Sequence, residues 1–134
     1  MIDIDIDRPT KYRLLETYFK AQKKFPDTKI EVFRSPSKGY HIKIWADLPI
    51  LDRLAVQALL NDDPHRIWYI LKRYGMGIKN PFIMFDKKNG KKCKKINMNK
   101  ILKPHSKLVY KIFKTWGKDE GLVYLKRLAR KVKI

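Results

Sequence analysis

The chain has 134 residues, of which 32 are Lys or Arg and 13 are Asp or Glu, giving a formal net charge of +19. A hydrophobic content of 44% favours a folded protein, and the length suffices for one compact domain. The lone Cys93 excludes internal disulfides and a cysteine-based zinc site. Neither a signal peptide nor an apolar run of about 20 residues is found. We therefore expect a protein of the reducing cytoplasm, without a membrane anchor.

The positive charge is concentrated in the second half of the chain. Residues 87–134 carry 17 Lys or Arg against 2 Asp or Glu, whereas residues 1–86 carry 15 against 11. Because such a surplus opposes compaction, it indicates a polyanionic partner, and nucleic acid is the first choice. An anionic membrane surface is the alternative, but it favours lysines on one face of an amphipathic helix. Many lysines here fall in a predicted hairpin.

The first half of the chain predicts strand, helix and hairpin in that order. Ile2, Ile4 and Ile6 alternate with Asp3, Asp5 and Asp7, which is typical of a half-buried strand. Apolar residues at helical spacing predict a helix over about 9–24, ending before Pro26. "TKIEVF" (28–33) and "YHIKIWA" (40–46) read as two strands, and the Pro, Ser and Gly of "RSPSKG" predict the turn between them.

The second half predicts helices around another hairpin. "PILDRLAVQALL" (49–60) has a helical pattern, and "NDDPHRIWYILKRYG" (61–75) restarts as a helix that ends at Gly75 or Gly77. Asn89-Gly90 predicts a tight hairpin turn within 81–98. Residues 105–132 read as two basic helices broken near Gly117.

This order of elements predicts an α+β fold, a mainly antiparallel sheet with helices packed on one face and a basic helical C-terminus. We expect residues 1–104 to form the α+β core. Residues 105–134 are then basic helices that pack on or extend the same domain. These helices are also candidates for pairing two copies of the chain as a homodimer.

Strand alternation places several polar side chains on the face turned away from the helices. Asp5 and Asp7 share that face with His41, Lys43 and Trp45, and Asp86 lies opposite Ile83 and Phe85 on its own strand. Carboxylates two apart on a strand point the same way, so Asp5 and Asp7 are candidate ligands of a divalent metal, with Asp86 as a third. The alternative is a merely solvated strand face and a structural histidine.

The turn before His41 is a candidate phosphate-binding loop. Hydroxyls, an ammonium group and backbone N–H groups are the donors that grip phosphates, and His41 reaches the same anion. The candidates are Ser35, Ser37, Lys38 and Gly39, with Arg34 beside them.

These residues resemble the catalytic domain of archaeo-eukaryotic primases over about residues 1–90. The likeness rests on Asp5-Ile6-Asp7, then the stretch from Ser35 to His41, then Phe85-Asp86. It implies a primase-like core, related in outline to RRM-like sheets, with Mg²⁺ or Mn²⁺ on the acids and an incoming nucleotide on the serine–histidine motif. The chain departs from that family in two ways. It is short for the second lobe of a full primase, and it has no cysteine set for the zinc element that is frequent in the family.

The chain also resembles small archaeal and archaeal-virus proteins related to the single-stranded DNA-binding protein ThermoDBP. The similarity rests on the serine–glycine–Tyr–His strand and on the helix start Asp62-Asp63-Pro64-His65-Arg66-Ile67. This resemblance implies binding of single-stranded DNA without polymerase activity and without a cofactor. Size favours such a binder over a stand-alone enzyme.

A single-strand binder needs cations and exposed rings. The stacking candidates are Tyr40, Trp45, Trp68, Tyr69 and Trp116. Trp45 is the best of them by strand parity, whereas Tyr40 and most of the remaining aromatics are expected in the core; Trp116 could be either. Lysines of the hairpin are expected to clamp the backbone, namely Lys87, Lys88, Lys91 and Lys92, with Lys94 and Lys95 beside them. Arg66 either binds nucleic acid or pairs with Asp62 or Asp63.

The sequence therefore predicts a binder of single-stranded DNA or RNA on a primase-like fold, using the sheet face and the lysine-rich hairpin. The alternative is a minimal primase or polymerase that depends on Mg²⁺ or Mn²⁺, with catalytic Asp5, Asp7, Asp86 and His41 and nucleotides as substrates. A third hypothesis is a protein that binds duplex or ribosomal nucleic acid through its basic C-terminal helices.

Overall fold

A computed structural model of the chain describes residues 1–6, 10–35, 39–60, 62, 64–81 and 93–134. The strands in chain order are β1 (Ile2–Ile6), β2 (Ile30–Arg34), β3 (Tyr40–Ile44) and β4 (Lys94–Ile96). The helices are α1 (Lys11–Lys24), α2 (Ile50–Leu59), α3 (Pro64–Gly75), α4 (Met98–Leu102), α5 (Ser106–Lys114) and α6 (Asp119–Lys131), with a 3₁₀ turn at Lys103–His105. Within these ranges no helix has both the length and the apolar character needed to cross a membrane.

The four strands form one antiparallel sheet in the order β1-β3-β2-β4. The β2–β3 hairpin inserts β3 between β1 and β2, so those two strands run parallel to each other and α1 connects them. The predicted α+β class and antiparallel sheet are confirmed. Of the hairpin predicted over 81–98, only the β4 side lies within the described residues, and β4 pairs with β2.

The isoleucine face of the sheet forms the core. Ile2, Ile4 and Ile6 have no solvent exposure, and neither have their cross-strand neighbours Ile42 and Ile44. Helices α1, α5 and α6 bury their apolar side chains in the same cluster, with Leu14, Leu15, Phe19, Ile112, Leu125 and Leu128 fully or almost fully buried. The basic C-terminal helices therefore supply part of the core.

Local sequence signals explain where the helices begin and end. Thr10 caps α1, because its Oγ1 accepts from the backbone N–H of Arg13 at 3.1 Å. Gly77 ends α3 with φ +80°, and the next backbone N–H, from Ile78, donates to the carbonyl of Arg73 at 3.2 Å. Gly117 adopts φ +86° between α5 and α6, at the break that the sequence predicts.

Helix α4 is not predicted by the sequence analysis, which extends the hairpin to residue 98. The side chain of Asn97 accepts from the backbone N–H of Lys100 at 3.1 Å and starts this helix directly after β4. The strand is therefore shorter than expected because an N-cap residue follows it immediately.

Helices α2 and α3 form a pair beside β1. Leu54 and Ile70 are buried between them, with Ile50 and Ile67 packed alongside. Leu60, at the end of α2, reaches the main core. This pair therefore connects to the sheet mainly through α2.

The contact between α5 and α6 depends on Gly121. A Cβ atom at this position would lie 2.7 Å from the carbonyl oxygen of Thr115, a backbone atom that cannot move aside alone. We expect Gly121→Ala to lower the free energy of unfolding by about 1–3 kcal/mol, as overpacking does. Urea unfolding followed by circular dichroism measures the change.

Gly75→Ala is the matched control. This glycine is also helical, but a Cβ there would meet no heavy atom within 4 Å. Alanine should leave stability unchanged or raise it by about 0.4–1 kcal/mol. Equal losses in both variants would contradict the close-packing explanation.

Candidate nucleic-acid interface and acid–histidine cluster

The sheet face opposite the core carries two distinct groups of side chains. In the strand register Asp5 lies beside His41, and His41 lies beside Phe33, which in turn lies beside Lys95. Asp3 and Asp5 thus lie on the β1 side of this face. The cations and rings lie on the β2–β4 side, together with Glu31. We call the second group the outer sheet face, which comprises Lys29, Glu31, Phe33, Lys43, Trp45 and Lys95.

Trp45 is the most accessible ring of the outer sheet face. The residue is 51% exposed, and its indole Nε1 donates to Glu31 Oε1 at 2.5 Å. The ammonium group of Lys29 lies 5.8 Å from the centre of the indole ring. The ring is therefore held at one edge while much of its surface remains accessible to a planar ligand.

Glu31 joins the cations of this face. Its carboxylate lies 2.8 Å from the ammonium nitrogen of Lys95 and 3.8 Å from that of Lys29. The hydrogen bond from Lys95 is the largest influence and lowers the pKa of Glu31; burial opposes it, while Trp45 and Lys29 lower the pKa further. Glu31 therefore stays ionised and occupies two lysines that would otherwise be available to an external anion.

Phe33 is the second ring of the outer sheet face and lies partly buried on β2. The ammonium group of Lys43 sits 5.1 Å from the centre of its ring, within the range of a cation–π contact. A ring and a positive charge therefore alternate across β2 and β3, which is the composition that single-strand binding requires.

The acid–histidine cluster occupies the β1 side. The Nδ1 atom of His41 lies 3.6 Å from Asp5 Oδ1 and 3.7 Å from Asp3 Oδ1. These distances exceed those of good hydrogen bonds, so the carboxylates act on the ring mainly by charge. Asp3 is completely buried, whereas the side chains of Asp5 and His41 keep 21% and 12% exposure.

The cluster favours the protonated imidazolium. The interaction with Asp3 is the largest influence and raises the pKa of His41, while burial of the ring lowers it. The charge of Asp5 raises the pKa further, and that of Arg66 opposes it. The net direction is upward.

A buried carboxylate covers the free edge of β1. Asp62 accepts from the backbone N–H of Asp5 at 2.9 Å and from the side-chain amide of Gln57 at 2.7 Å. The same amide donates to the carbonyl of Asp3 at 3.2 Å. Arg66 lies 3.7 Å from Asp62, so of the two expected roles for Arg66 the pairing with Asp62 is confirmed.

The structure brings together only part of the predicted metal and phosphate site. Asp5 and His41 are neighbours, whereas Asp7 and Asp86 lie outside the described residues. Within the described ranges, no group of three His, Cys, Asp or Glu side chains is arranged to hold a metal ion. Asp5 and His41 are therefore the described members of the predicted catalytic site, and they do not form a metal centre by themselves.

Only the two ends of the predicted phosphate-binding loop lie within the described residues. The backbone N–H of Ser35 donates to the carbonyl of Gly39 at 2.8 Å, and Gly39 is buried. Arg34 is exposed, but it pairs with Tyr40 and by alternation shares the Val32 side of the sheet, away from Lys43. The other predicted phosphate contacts lie outside the described residues, namely Ser37, Lys38, Lys87, Lys88, Lys91 and Lys92.

Two predictions about aromatic residues are confirmed. Tyr40 is buried in the core and Trp45 is exposed, as expected. Trp68 and Tyr69, which are also stacking candidates, are 55% and 53% exposed because they lie on the side of α3 away from α2. Trp116 packs partly against Phe113 with ring centres 6.5 Å apart.

The sequence analysis missed Lys29, Glu31 and Phe33 as members of the site. The signal was present, since they alternate with Ile30 and Val32 and therefore point to the face away from the core. Only the β2–β3 register shows that they lie beside Lys43 and Trp45.

No protein-family model, curated protein or solved structure matches this chain. The two groups of side chains on the sheet are therefore the evidence that bears on function.

We expect His41 to titrate above about 6.5, the ordinary histidine value. Because its pKa is raised by folding, its contribution to stability is complete below about pH 6.5 and is lost as pH rises through the folded pKa. NMR titration of the imidazole measures the pKa, and urea unfolding at several pH values measures the stability.

Asp3→Asn should lower the pKa of His41 more than Asp5→Asn does, because Asp3 is the larger influence. His41→Gln should remove the loss of stability above pH 6.5 and serves as the control. A wild-type pKa at or below about 6.5 would contradict the assigned charge contacts.

Proposed function

We propose that the protein binds single-stranded nucleic acid on the outer sheet face. The observation that carries the proposal is the half-exposed indole of Trp45, held by Glu31 and surrounded by lysines on one side of the sheet. Nucleobases stack on such rings whatever their sequence, and ammonium groups bind the phosphates. The net charge of +19 supports a polyanionic ligand.

The distribution of charge suggests where a strand would lie. Asp3 and Asp5 would repel phosphates on the β1 side, but Asp3 is buried and both acids face His41. The β2–β4 side carries the lysines, and Lys95 continues along the chain into the lysine-rich segment 87–94. A strand that follows β2 and β4 therefore meets cations and rings, avoids Asp3 and Asp5, and meets the carboxylate of Glu31.

Glu31 competes with phosphate groups for the lysines of the outer sheet face. Its carboxylate holds Lys29 and Lys95 in place of a phosphate group, and it also fixes the indole of Trp45. An incoming strand must therefore compete with Glu31 for the two ammonium groups. A Gln at this position keeps an oxygen acceptor for the indole and removes the competing charge.

The proposed kinship with primase-like single-strand binders rests on sequence order and on one placement. Asp5 of β1 lies directly beside His41 of β3, as the resemblance requires of the first acid and the motif histidine. The antiparallel sheet is compatible with such a core. In this proposal the small binder is a reduced primase-like domain, so the binding and the enzymatic hypotheses are compatible on fold.

We expect Trp45→Ala to weaken binding of a labelled oligothymidylate by about 5- to 150-fold, the loss of one stacked base. Trp45→Phe should retain most of the affinity because it keeps a ring. Fluorescence anisotropy measures the dissociation constant across a range of salt concentrations. A duplex of equal length serves as the competitor, and a clear preference for duplex would favour the hypothesis of a basic helical surface instead.

Glu31→Gln should change affinity in the opposite direction. It releases two lysines, so binding at low salt should tighten severalfold. The slope of log affinity against log salt should steepen by about 0.7 for each lysine that contacts a phosphate. Affinity that responds to neither Trp45→Ala nor Glu31→Gln would contradict binding on the outer sheet face.

A second candidate function is metal-dependent nucleotidyl transfer, favoured by the adjacency of Asp5 and His41. The primase resemblance assigns metal binding to Asp5, Asp7 and Asp86, where Mg²⁺ or Mn²⁺ would stabilise charge on a transferring phosphoryl group. Within the described residues, Asp5 and His41 supply a carboxylate and an imidazole. The protonated form of this imidazole, which Asp3 and Asp5 favour, can neutralise a nucleotide phosphate.

If this second function exists, wild-type protein incubated with template, nucleotides and Mn²⁺ should extend a primer, and Asp5→Asn should abolish extension. Asp5→Asn keeps the backbone N–H that donates to Asp62, so the fold should persist, which circular dichroism checks. Single-strand affinity should remain in the variant. Equal primer extension by wild type and Asp5→Asn would exclude a catalytic role for this acid.

A further inference from the structure

Helix α3 presents an exposed aromatic and cationic surface that is separate from the sheet. Trp68, Tyr69, Leu71 and Met76 are 55%, 53%, 45% and 70% exposed. On the opposite side of the helix, Ile70 is fully buried against α2. We call Trp68, Tyr69, Lys72 and Met76 the outer face of α3; Leu71 is exposed on the same helix but is not part of this face.

The two rings of this face are held by neighbouring side chains. The Trp68 and Tyr69 rings lie 5.1 Å apart at 73° to each other. The ammonium group of Lys72 lies 5.2 Å from the centre of the Trp68 ring, one helical turn further on. The two rings are thus strongly inclined to each other, and both residues remain more than half exposed.

The charge of the region selects the class of partner. Residues 64–81 contain no Asp or Glu. Of their four Lys or Arg, Arg66 pairs with Asp62 and Arg73 donates to the carbonyl of Pro81, while Lys72 lies next to the exposed Trp68. A purely apolar partner would leave the cation beside the indole without a counter-charge. A nucleic-acid strand supplies both a base for the ring and a phosphate for Lys72.

We propose that the outer face of α3 is a second base-stacking site for single-stranded nucleic acid, with Trp68 as its principal ring. The inference rests on the proposed function for the class of ligand, but it uses none of the residues of the outer sheet face. A protein with two such sites contacts more nucleotides than the sheet alone can, so long strands gain more affinity than short ones.

The test compares Trp68→Ala, Trp68→Phe and Leu71→Ala in the full chain. Trp68→Ala should weaken binding of an oligothymidylate by about 5- to 150-fold, whereas Trp68→Phe should retain most of the affinity. Leu71→Ala removes an exposed aliphatic side chain from the same helix and should leave affinity unchanged. Binding to an abasic strand of equal length should not respond to Trp68→Ala, because that strand has phosphates but no bases.

Other outcomes would overturn the inference. Equal losses for Trp68→Ala and Leu71→Ala would indicate a general apolar contact. Unchanged affinity together with a change in sedimentation would make this face a contact between copies of the chain. If Trp68→Ala leaves affinity unchanged while Trp45→Ala lowers it, the inference is wrong and the proposed function stands. If Trp68→Ala alone lowers affinity, binding takes place on α3 instead of the sheet.

Discussion

The buried carboxylate of Asp62 holds both the sheet edge and the site in place. It binds the backbone of β1 at Asp5, the side chain of Gln57 at the end of α2, and Arg66 in α3. An uncovered edge strand presents free N–H and C=O groups to other chains. Here two side chains take the place of a neighbouring strand, since Gln57 also donates to Asp3. The cost of burying this charge is offset only while its partners remain, so the α2–α3 turn and β1 are expected to order together.

With the β1 edge covered in this way, the two halves of the outward sheet face differ in cover and in charge. On the β1 side, acids, an imidazole and a guanidinium group neutralise one another under the cover of α2 and α3. On the β2–β4 side, no such cover is found among the described residues, and Trp45 stays half exposed. Binding and acid–base chemistry would therefore use different halves of one face. In the proposed binding mode a strand would not need Asp3 and Asp5, which would repel phosphate only on the half of the face where His41 lies beside them.

The sequence predicted which side chains share a face, because alternation along a strand has a period of two. It placed His41, Lys43 and Trp45 together and assigned the core correctly to the isoleucines. It could not reveal Glu31 as their neighbour, since that depends on the register between β2 and β3. The exposure of Trp68, one of the stacking candidates, could not be decided from the sequence for another reason. Apolar spacing marks a helix, but only packing shows that α3 buries little besides Ile70 against α2.

The excess charge of the C-terminal region has a structural consequence for any binding mechanism. Helices α5 and α6 carry lysines and arginines outside and place Ile112, Leu125 and Leu128 in the core, so they are not a detachable tail. Acids in the first turn of α6 partly offset their mutual repulsion, and the cations in its last turn are favourably placed relative to the helix dipole. A polyanion would relieve the remainder. If the proposed function holds, binding should therefore stabilise the whole fold, and the Trp45 ring would determine where on that positive surface a single strand lies.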